Sequence, residues 1–343
     1  MIDESLWDFE PSVNGKSLVE MLRAYQEPLL LYQALKAGVF EALDDSPKSA
    51  EALAQKIEAV PSRLALLLDA LVALGLLEKR GDSYANSQVA RVFLSSQSRF
   101  YLGDLIELQL SPQRLDRWQK VSDWLKGEEV GRWNPQEAFN PSFVRAMAQA
   151  TLGYKGFEET IRAVADHPSF RSARRLLDLG GGHGLYAIAL KRLRPELEVT
   201  IFDLPQVEPV ALEYARLYGV EVFFVGDDFH QSELPPQQDI VLAFDIFYPS
   251  QVETVLAKVY QSLNPGGYLF AKHYLLDSTR TTPKQAALFA LQSKLTNPGS
   301  RVYTLHEIEE MLLNTGFQLE AAIPAGDSTS TLLVAKKPGG TGV

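Results

Sequence analysis

Residues 176–203, LLDLGGGHGLYAIALKRLRPELEVTIFD, constrain the fold more than any other part of this chain. They run from an apolar strand through a glycine loop and a helix to a second strand that ends in a carboxylate, and that order builds a nucleotide pocket. Leu176, Leu177 and Leu179 suit a buried parallel strand, while Gly180, Gly181, Gly182 and Gly184 let the backbone turn sharply and approach a ligand without Cβ clashes. Asp203 follows the β-run Val199, Thr200, Ile201, Phe202, nineteen residues after Gly184. A carboxylate placed there can accept both hydroxyls of an adenosine ribose.

Two cofactor readings compete. Gly182-x-Gly184-x-x-Ala187 fits the dinucleotide fingerprint of nicotinamide enzymes, a weak signal by itself. Asp178, two residues before the first glycine, favours S-adenosylmethionine, because D-x-G-x-G-x-G resembles the first motif of class I methyltransferases. A glycine turn that binds nothing is the third possibility.

A length of 343 residues predicts two domains or slightly more. The 33 basic and 43 acidic residues leave a net charge of −10, which disfavours nonspecific attraction to nucleic acid or to an anionic membrane. Cysteine is absent, which excludes disulfides, thiolate metal sites and a cysteine nucleophile. The five histidines, His167, His183, His230, His273 and His306, include no pair at i, i+3 or i+4, so no metal is expected. The acidic start MIDESLWDFE does not read as a signal peptide, and no apolar run reaches the roughly 18 residues of a membrane span. A cytoplasmic protein is the expectation.

The first ninety or so residues predict helices. Leu18, Met21, Leu22, Tyr25, Leu29 and Tyr32 keep one apolar stripe that needs a partner. Ser49 can cap AEALAQKI, and the run RLALLLDALVALGLL after Val60-Pro61-Ser62 is apolar on nearly every face, which predicts deep burial. Residues 78–84 read as a short hairpin with a Gly-Asp turn, giving helix, turn, helix, wing. A winged helix raises the reading of a DNA-binding regulator, yet residues 62–77 offer base edges only Arg63 as a basic group. A dimerisation module over residues 12–95 fits better. Residues 96–165 read as a partly helical connection and pocket wall, with Trp118, Trp124 and Trp133, a loop over 127–134, and a helix entered by Phe139, Phe143 and Met147.

From 166 to 338 strand and helix alternate, the pattern of an α/β, doubly wound, mostly parallel sheet. Strands are expected at 220–225, 239–244 and, after the Asn264-Pro265-Gly266-Gly267 turn, 267–276. Residues 304–315 are amphipathic through Ile308, Met311 and Leu312, and a β-pair follows at 318–323 and 331–335. The PGGTGV tail is expected to be disordered.

Several blocks together resemble the two-domain small-molecule O-methyltransferases that include caffeate, acetylserotonin and bacterial polyketide methyltransferases. They are LLDLGGGHG, Phe202-Asp203-Leu204-Pro205, Gly226-Asp227-Asp228-Phe229, Leu263-Asn264-Pro265-Gly266-Gly267 and ALFALQSKLTNPGSRVYTLHEIEEMLLNTGF over 287–317. The resemblance covers roughly residues 15 to 337 and implies a Rossmann-like cofactor domain behind a winged-helix homodimerisation domain that also closes the partner's substrate pocket. It implies that Gly180 and Gly182 hug the methionine part of S-adenosylmethionine, Asp203 binds the ribose and Asp227 accepts from the adenine amino group, with Asp178, Leu204 and Phe244 in the same cofactor set. An apolar residue usually follows the Gly-Asp pair on the adenine face. Asp228 departs from that, and Phe229 is the substitute.

The larger departure concerns catalysis. A phenol attacks a sulfonium methyl well only once its proton has gone, and the family commonly supplies a histidine base in an H-D-W stretch after the fourth strand. Here that stretch reads DIVLAFDIFYPSQVETV, with Tyr248 at the histidine's position. The family's supporting acid on the next strand aligns with His273, and a second acid with Val302. His273 is either a silent core histidine or a relocated base with Tyr248 orienting the substrate. His183 reads as a surface or cofactor-edge residue.

The expectation is S-adenosylmethionine-dependent methylation of a hydroxyl, or an activated carbon, on an apolar aromatic or tetrapyrrole-like small molecule. Phe143, Met147, Phe247, Tyr248, Phe289 and Gln292 are expected to line its pocket. The alternatives are a family-like scaffold that only binds the cofactor or uses it for other chemistry, the DNA-binding regulator and the nicotinamide oxidoreductase.

Overall fold

The computed structural model describes residues 13–131, 133–153, 156–248, 251–326 and 330–339, so the MIDESLWDFE start and the tail from residue 340 lie outside the described residues. Contacts divide the chain into two units, Met1–Leu110 and Ser111–Val343.

The first unit is helical with a small antiparallel sheet. Its strands β1 (Lys48–Ser49), β2 (Leu77–Arg80) and β3 (Ser83–Asn86) pair in the order β1-β3-β2. The Ser49 hydroxyl accepts the Ala52 N–H at 3.2 Å and starts the Ala50–Lys56 helix, as the sequence predicts. The Pro61–Ala73 helix follows and the β2–β3 wing turns at Gly81, whose φ of +60° suits glycine. Phe40, Leu53, Leu68, Leu71, Leu77 and Tyr84 form the core.

Two expectations change here. The Pro61–Ala73 helix buries only the face of Leu64, Leu68 and Leu71, while Leu66 is 73% exposed, because one small unit offers a single packing surface. The N-terminal stripe is split between the helices Lys16–Arg23 and Gln26–Lys36. Tyr32 is buried, but Leu18, Met21, Leu22 and Tyr25 lie 60 to 73% exposed on the single chain.

The second unit is built on one seven-stranded sheet. β4 (Arg175–Leu179), β5 (Glu198–Asp203), β6 (Phe223–Gly226), β7 (Gln238–Phe244), β8 (Leu263–Tyr274), β9 (Gln318–Ala325) and β10 (Ser330–Lys336) lie in the order β6-β5-β4-β7-β8-β10-β9. The five strands from β6 to β8 are parallel, and β10 runs antiparallel to both neighbours. Strand order reverses between β4 and β7, the switch point where open α/β sheets leave a crevice beyond their carboxyl ends.

Alternate residues feed two cores. Leu177, Leu179, Val241, Leu269 and Ala271 face one side with Phe317, and Leu176, Ile201, Ile240, Leu242 and Phe270 face the other with Leu190. Burial on both faces explains why these strands read as continuous apolar runs. The strand expected over 267–276 starts four residues earlier, since the Asn264-Pro265-Gly266-Gly267 segment is taken up within β8 at a register shift against β7. The strand expected over 220–225 is shorter and later, Phe223–Gly226. Thr304 and Glu307 form a reciprocal capping box that starts the Leu305–Thr315 helix. Phe143 and Met147 lie on the Pro141–Gly153 helix, whereas Phe139 falls before it, at the end of Pro135–Ala138.

Candidate active site

The glycine loop leaves β4 with the Gly180 N–H donating to the Phe202 carbonyl at 2.8 Å, which ties it to β5. Gly182 has φ +55°, and a Cβ added there meets nothing within 4 Å. Backbone that turns toward open space in this way leaves room for a ligand to approach. Asp203, at the end of β5, accepts the Gly182 N–H on Oδ2 and the Leu204 N–H on Oδ1, both at 2.7 Å. Burial raises its carboxyl to about 6, with those two N–H groups working the other way.

Asp178 is 2% exposed beneath the loop, its carboxyl carbon 2.7 Å from where a Gly181 Cβ would sit. Desolvation, then the neighbouring Asp203 charge, raise it to about 7. Its Oδ2 has no hydrogen-bond partner among the described residues. Two acids forced up by burial, Asp178 further by the Asp203 charge and with an orphaned oxygen, suit a ligand carrying hydroxyl donors and positive charge.

Beyond β6, the Asp227 N–H donates to the Asp203 carbonyl at 2.9 Å. The Ser232 hydroxyl and the Asp228 N–H hold the exposed Asp227 carboxyl below its ordinary range. Asp228 is turned into the loop, accepting the His230 N–H at 2.9 Å and the Gln231 amide at 3.0 Å. Phe229 comes to 3.5 Å from a Gly180 Cβ and so brings an aromatic ring to the glycine loop where Asp228 does not. A cleft of about 630 Å³ opens here, lined by Asn134, Gln136, Leu204, Gln206, Asp227 and Asp228.

Across the switch point, β7 ends at Phe244, which is 9% exposed and edge-on to Tyr186 at 4.8 Å. Tyr248 donates its hydroxyl to Asp245 Oδ1 at 2.7 Å, and its ring lies 5.0 Å from Phe289. His273 is 1% exposed and stacked on Phe247, itself 2% exposed. Neither imidazole nitrogen makes a well-formed hydrogen bond among the described residues, though the nearby Ala243 backbone slightly favours the charged ring. Desolvation, then the Lys272 charge, lower it to about 3.

Two regions of the chain match family models. Residues 135–318 match an O-methyltransferase domain and residues 19–96 an O-methyltransferase dimerisation domain. The chain belongs to the O-methyltransferase family. It is 29% identical to the N,N-dimethyltransferase OxyT of Streptomyces rimosus over 96% of this chain and 98% of the relative. It is 28% identical to the tetracenomycin polyketide synthesis 8-O-methyl transferase TcmO of Streptomyces glaucescens, over 94% and 96%. The crystal structure of human N-acetylserotonin methyltransferase with SAM shares the fold at a TM-score of 0.78 and 22% identity, covering 96% of this chain and all of that one.

Within this O-methyltransferase, several expected positions are rearranged. β8 alternation puts His273 on the face of Leu269 and Ala271, sealed by Phe247, so neither residue lines an open wall. His183 is 7% exposed, not superficial: Nδ1 accepts the Leu185 N–H, which leaves Nε2 to donate to the Thr151 hydroxyl at 3.1 Å. Phe143 packs with Phe139, Val144, Leu204, Val207 and Val210. Met147 is half-buried one turn further along that helix. Phe289 groups instead with Tyr248 and Tyr274, and Gln292, half-buried one turn on, accepts the Thr296 hydroxyl on its carbonyl. The expected lining set is therefore two groups and a core residue.

Three polar residues of this methyltransferase escape a reading by motif. Asp245 follows Phe244 with φ +57°, Lys272 precedes His273, and Tyr186 sits on the Leu185–Leu193 helix. Lys272 is 9% exposed and donates a short hydrogen bond to the Tyr186 hydroxyl, its ammonium 5.5 Å from the centre of the Phe244 ring. A lysine inside the apolar run LFAKHYLL is the one sequence signal that marks the cluster.

Proposed function

We propose that this methyltransferase binds S-adenosylmethionine across the carboxyl ends of β6, β5, β4 and β7 and passes the methyl to a hydroxyl of an apolar aromatic small molecule. The observation that carries this reading is Asp203, held by the N–H groups of Gly182 and Leu204 at the lip of an open glycine cradle. Bound cofactor supplies an electron-poor methyl on a positive sulfonium sulfur.

The chain's own residues do the rest. Asp203 takes the ribose hydroxyls and Asp227 the adenine amino group, while Leu204 and Phe229 flank the ring system. Gly180 and Gly182 let backbone approach the methionine part. Asp178 lies buried beneath it, where a bound positive charge would favour its ionised form, and Phe244 with Tyr186 closes the side toward β7. Tyr248 and Phe289 give an apolar wall suited to a flat acceptor. The acceptors named for TcmO and the human enzyme, a polyketide and N-acetylserotonin, support an aromatic hydroxyl. The likeness to OxyT supports an amine as the second reading, and transfer of labelled methyl to an aromatic amine separates the two.

A homodimer completes the proposal. The dimerisation-domain match spans the exposed side chains of Met21, Leu22 and Tyr25, apolar area that a second copy would remove from water.

Calorimetry tests the cofactor assignment. S-adenosylhomocysteine is expected to bind with low micromolar Kd, about −7 to −8 kcal/mol, and Asp203→Ala to weaken it by at least roughly tenfold. Binding of NADH instead, or unchanged affinity in Asp203→Ala, contradicts the assignment.

A further inference from the structure

We propose that Asp245 is the residue that takes the acceptor's hydroxyl proton, with the Tyr248 hydroxyl fixing the carboxylate in place. The inference deepens the methyltransferase reading and rests on it.

Four observations converge. Asp245 stands at the first position beyond β7, across the switch point from the glycine loop, and the next residue, Ile246, would come within 2.4 Å of a Cβ on Gly180. A side chain at this site borders the crevice in which a ligand of this fold lies. Second, the backbone is held in the left-handed region at φ +57°, pinned by the Asp245 N–H donating to the Lys272 carbonyl at 2.7 Å. Aspartate tolerates that conformation better than most residues, yet it costs energy and aims the side chain away from the sheet's regular direction.

Third, among the described residues only one carboxylate oxygen accepts a hydrogen bond. Oδ1 accepts the Tyr248 hydroxyl at 2.7 Å, whose oxygen in turn accepts the Tyr274 N–H at 3.3 Å. Among the described residues Oδ2 has no hydrogen bond, and the residue is accessible to solvent. Fourth, the charged and titratable groups facing it are Tyr248, Lys272 and Tyr186. Crowding by protein raises the carboxyl above the usual carboxylate range, while the Lys272 charge and the Tyr248 hydrogen bond keep the ionised form available. A carboxylate with raised proton affinity, in its ionised form, accepts a phenolic proton more readily than an ordinary one.

The step balances. The acceptor oxygen forms a bond to the methyl carbon as the methyl–sulfur bond breaks, its electron pair staying on sulfur. The hydroxyl proton passes to Asp245 Oδ2 and from there to solvent. His273 takes no part, being sealed behind Phe247, and Tyr248 occupies the histidine's place as a donor to the base.

Transfer of labelled methyl from S-adenosylmethionine to naphthol, caffeate and a hydroxynaphthoate is measured across roughly pH 6 to 9 for the wild type, Asp245→Asn and Tyr248→Phe, beside calorimetry with S-adenosylhomocysteine. Asparagine keeps the size and the tolerance of a left-handed backbone but cannot take the proton. Asp245→Asn is expected to lose roughly 10² to 10⁴ in kcat, to bind S-adenosylhomocysteine within about twofold of the wild type, and to lose the acid limb of the pH profile. Tyr248→Phe, which removes a hydrogen bond favouring the charged carboxylate, is expected to move that limb to higher pH. Turnover of Asp245→Asn within about threefold of the wild type overturns the proposal, as does a parallel loss of cofactor affinity. Binding of S-adenosylhomocysteine without transfer to any of the three hydroxyl acceptors overturns it too. A wild type that does not bind S-adenosylhomocysteine fails the cofactor reading instead.

Discussion

Phe247 lies flat against His273, ring centroids 4.5 Å apart and planes inclined by 26°, and this contact fixes the character of the one histidine placed near the expected catalytic wall. A stacked, desolvated imidazole stays neutral.

His273 and His183, both pushed down to about 3, make stability depend on pH in a definite direction. Between about 3 and the ordinary histidine value of 6.5 the unfolded chain binds these protons and the folded chain does not, so each costs stability as pH falls through that window. Asp178 and Asp203, raised to about 7 and 6, act oppositely, because there the folded chain holds the extra protons. The wild-type profile is therefore a partial cancellation. Comparing urea unfolding of the wild type and His273→Gln between pH 7 and 5 removes it. The variant is expected to lose less stability on acidification, by up to about 1.4 kcal/mol per pH unit below 6. Parallel profiles would mean that the ring is not buried neutral.

Gly182→Ala separates folding from binding. The left-handed backbone makes alanine cost about 1 kcal/mol, and nothing stands within 4 Å of the new methyl, so the fold is kept. Affinity for S-adenosylhomocysteine is expected to fall at least tenfold on calorimetry, about 1.4 kcal/mol, because the methyl fills the cradle. Unchanged affinity would place the cofactor elsewhere.

Lys258 donates to the carbonyls of Phe229, His230 and Ser232 at 3.1, 3.0 and 2.9 Å and so holds the loop after Asp228 in shape. Lys258→Met is expected to weaken S-adenosylhomocysteine binding by about 1 to 2 kcal/mol, with partial recovery in Lys258→Arg. Equal affinities of wild type and Lys258→Met would show that the loop keeps its shape unaided.

Leu22→Asp tests the N-terminal face. Leu22 is 72% exposed on the single chain beside Met21 at 73%. Light scattering of the wild type is expected to give twice the chain mass and that of Leu22→Asp to shift toward one chain mass. A monomeric wild type at micromolar concentration contradicts the dimer.

The glycine loop, the place of Asp203 at a strand end and the Ser49 cap were legible because their partners are close in sequence. Strand, loop, helix and carboxylate arrive within 28 residues of chain, and Ser49 meets its N–H three residues on. The Asp245, Lys272 and Tyr186 cluster was not, since Lys272 and Tyr186 stand 86 residues apart and meet only when β8 and the Leu185–Leu193 helix pack at the switch point. Nor does an apolar run buried on both faces say which way His273 turns; β8 register decides it. Leu66 makes a similar point: a helix apolar all round need not be buried within its own chain.

Native mass spectrometry of the protein as purified tests the central claim most directly. The account predicts one S-adenosylmethionine or S-adenosylhomocysteine per chain in a two-chain particle, lost in Asp203→Ala. Retention of a nicotinamide dinucleotide, or failure to take up S-adenosylhomocysteine added at about a hundredfold excess over the expected Kd, would contradict it.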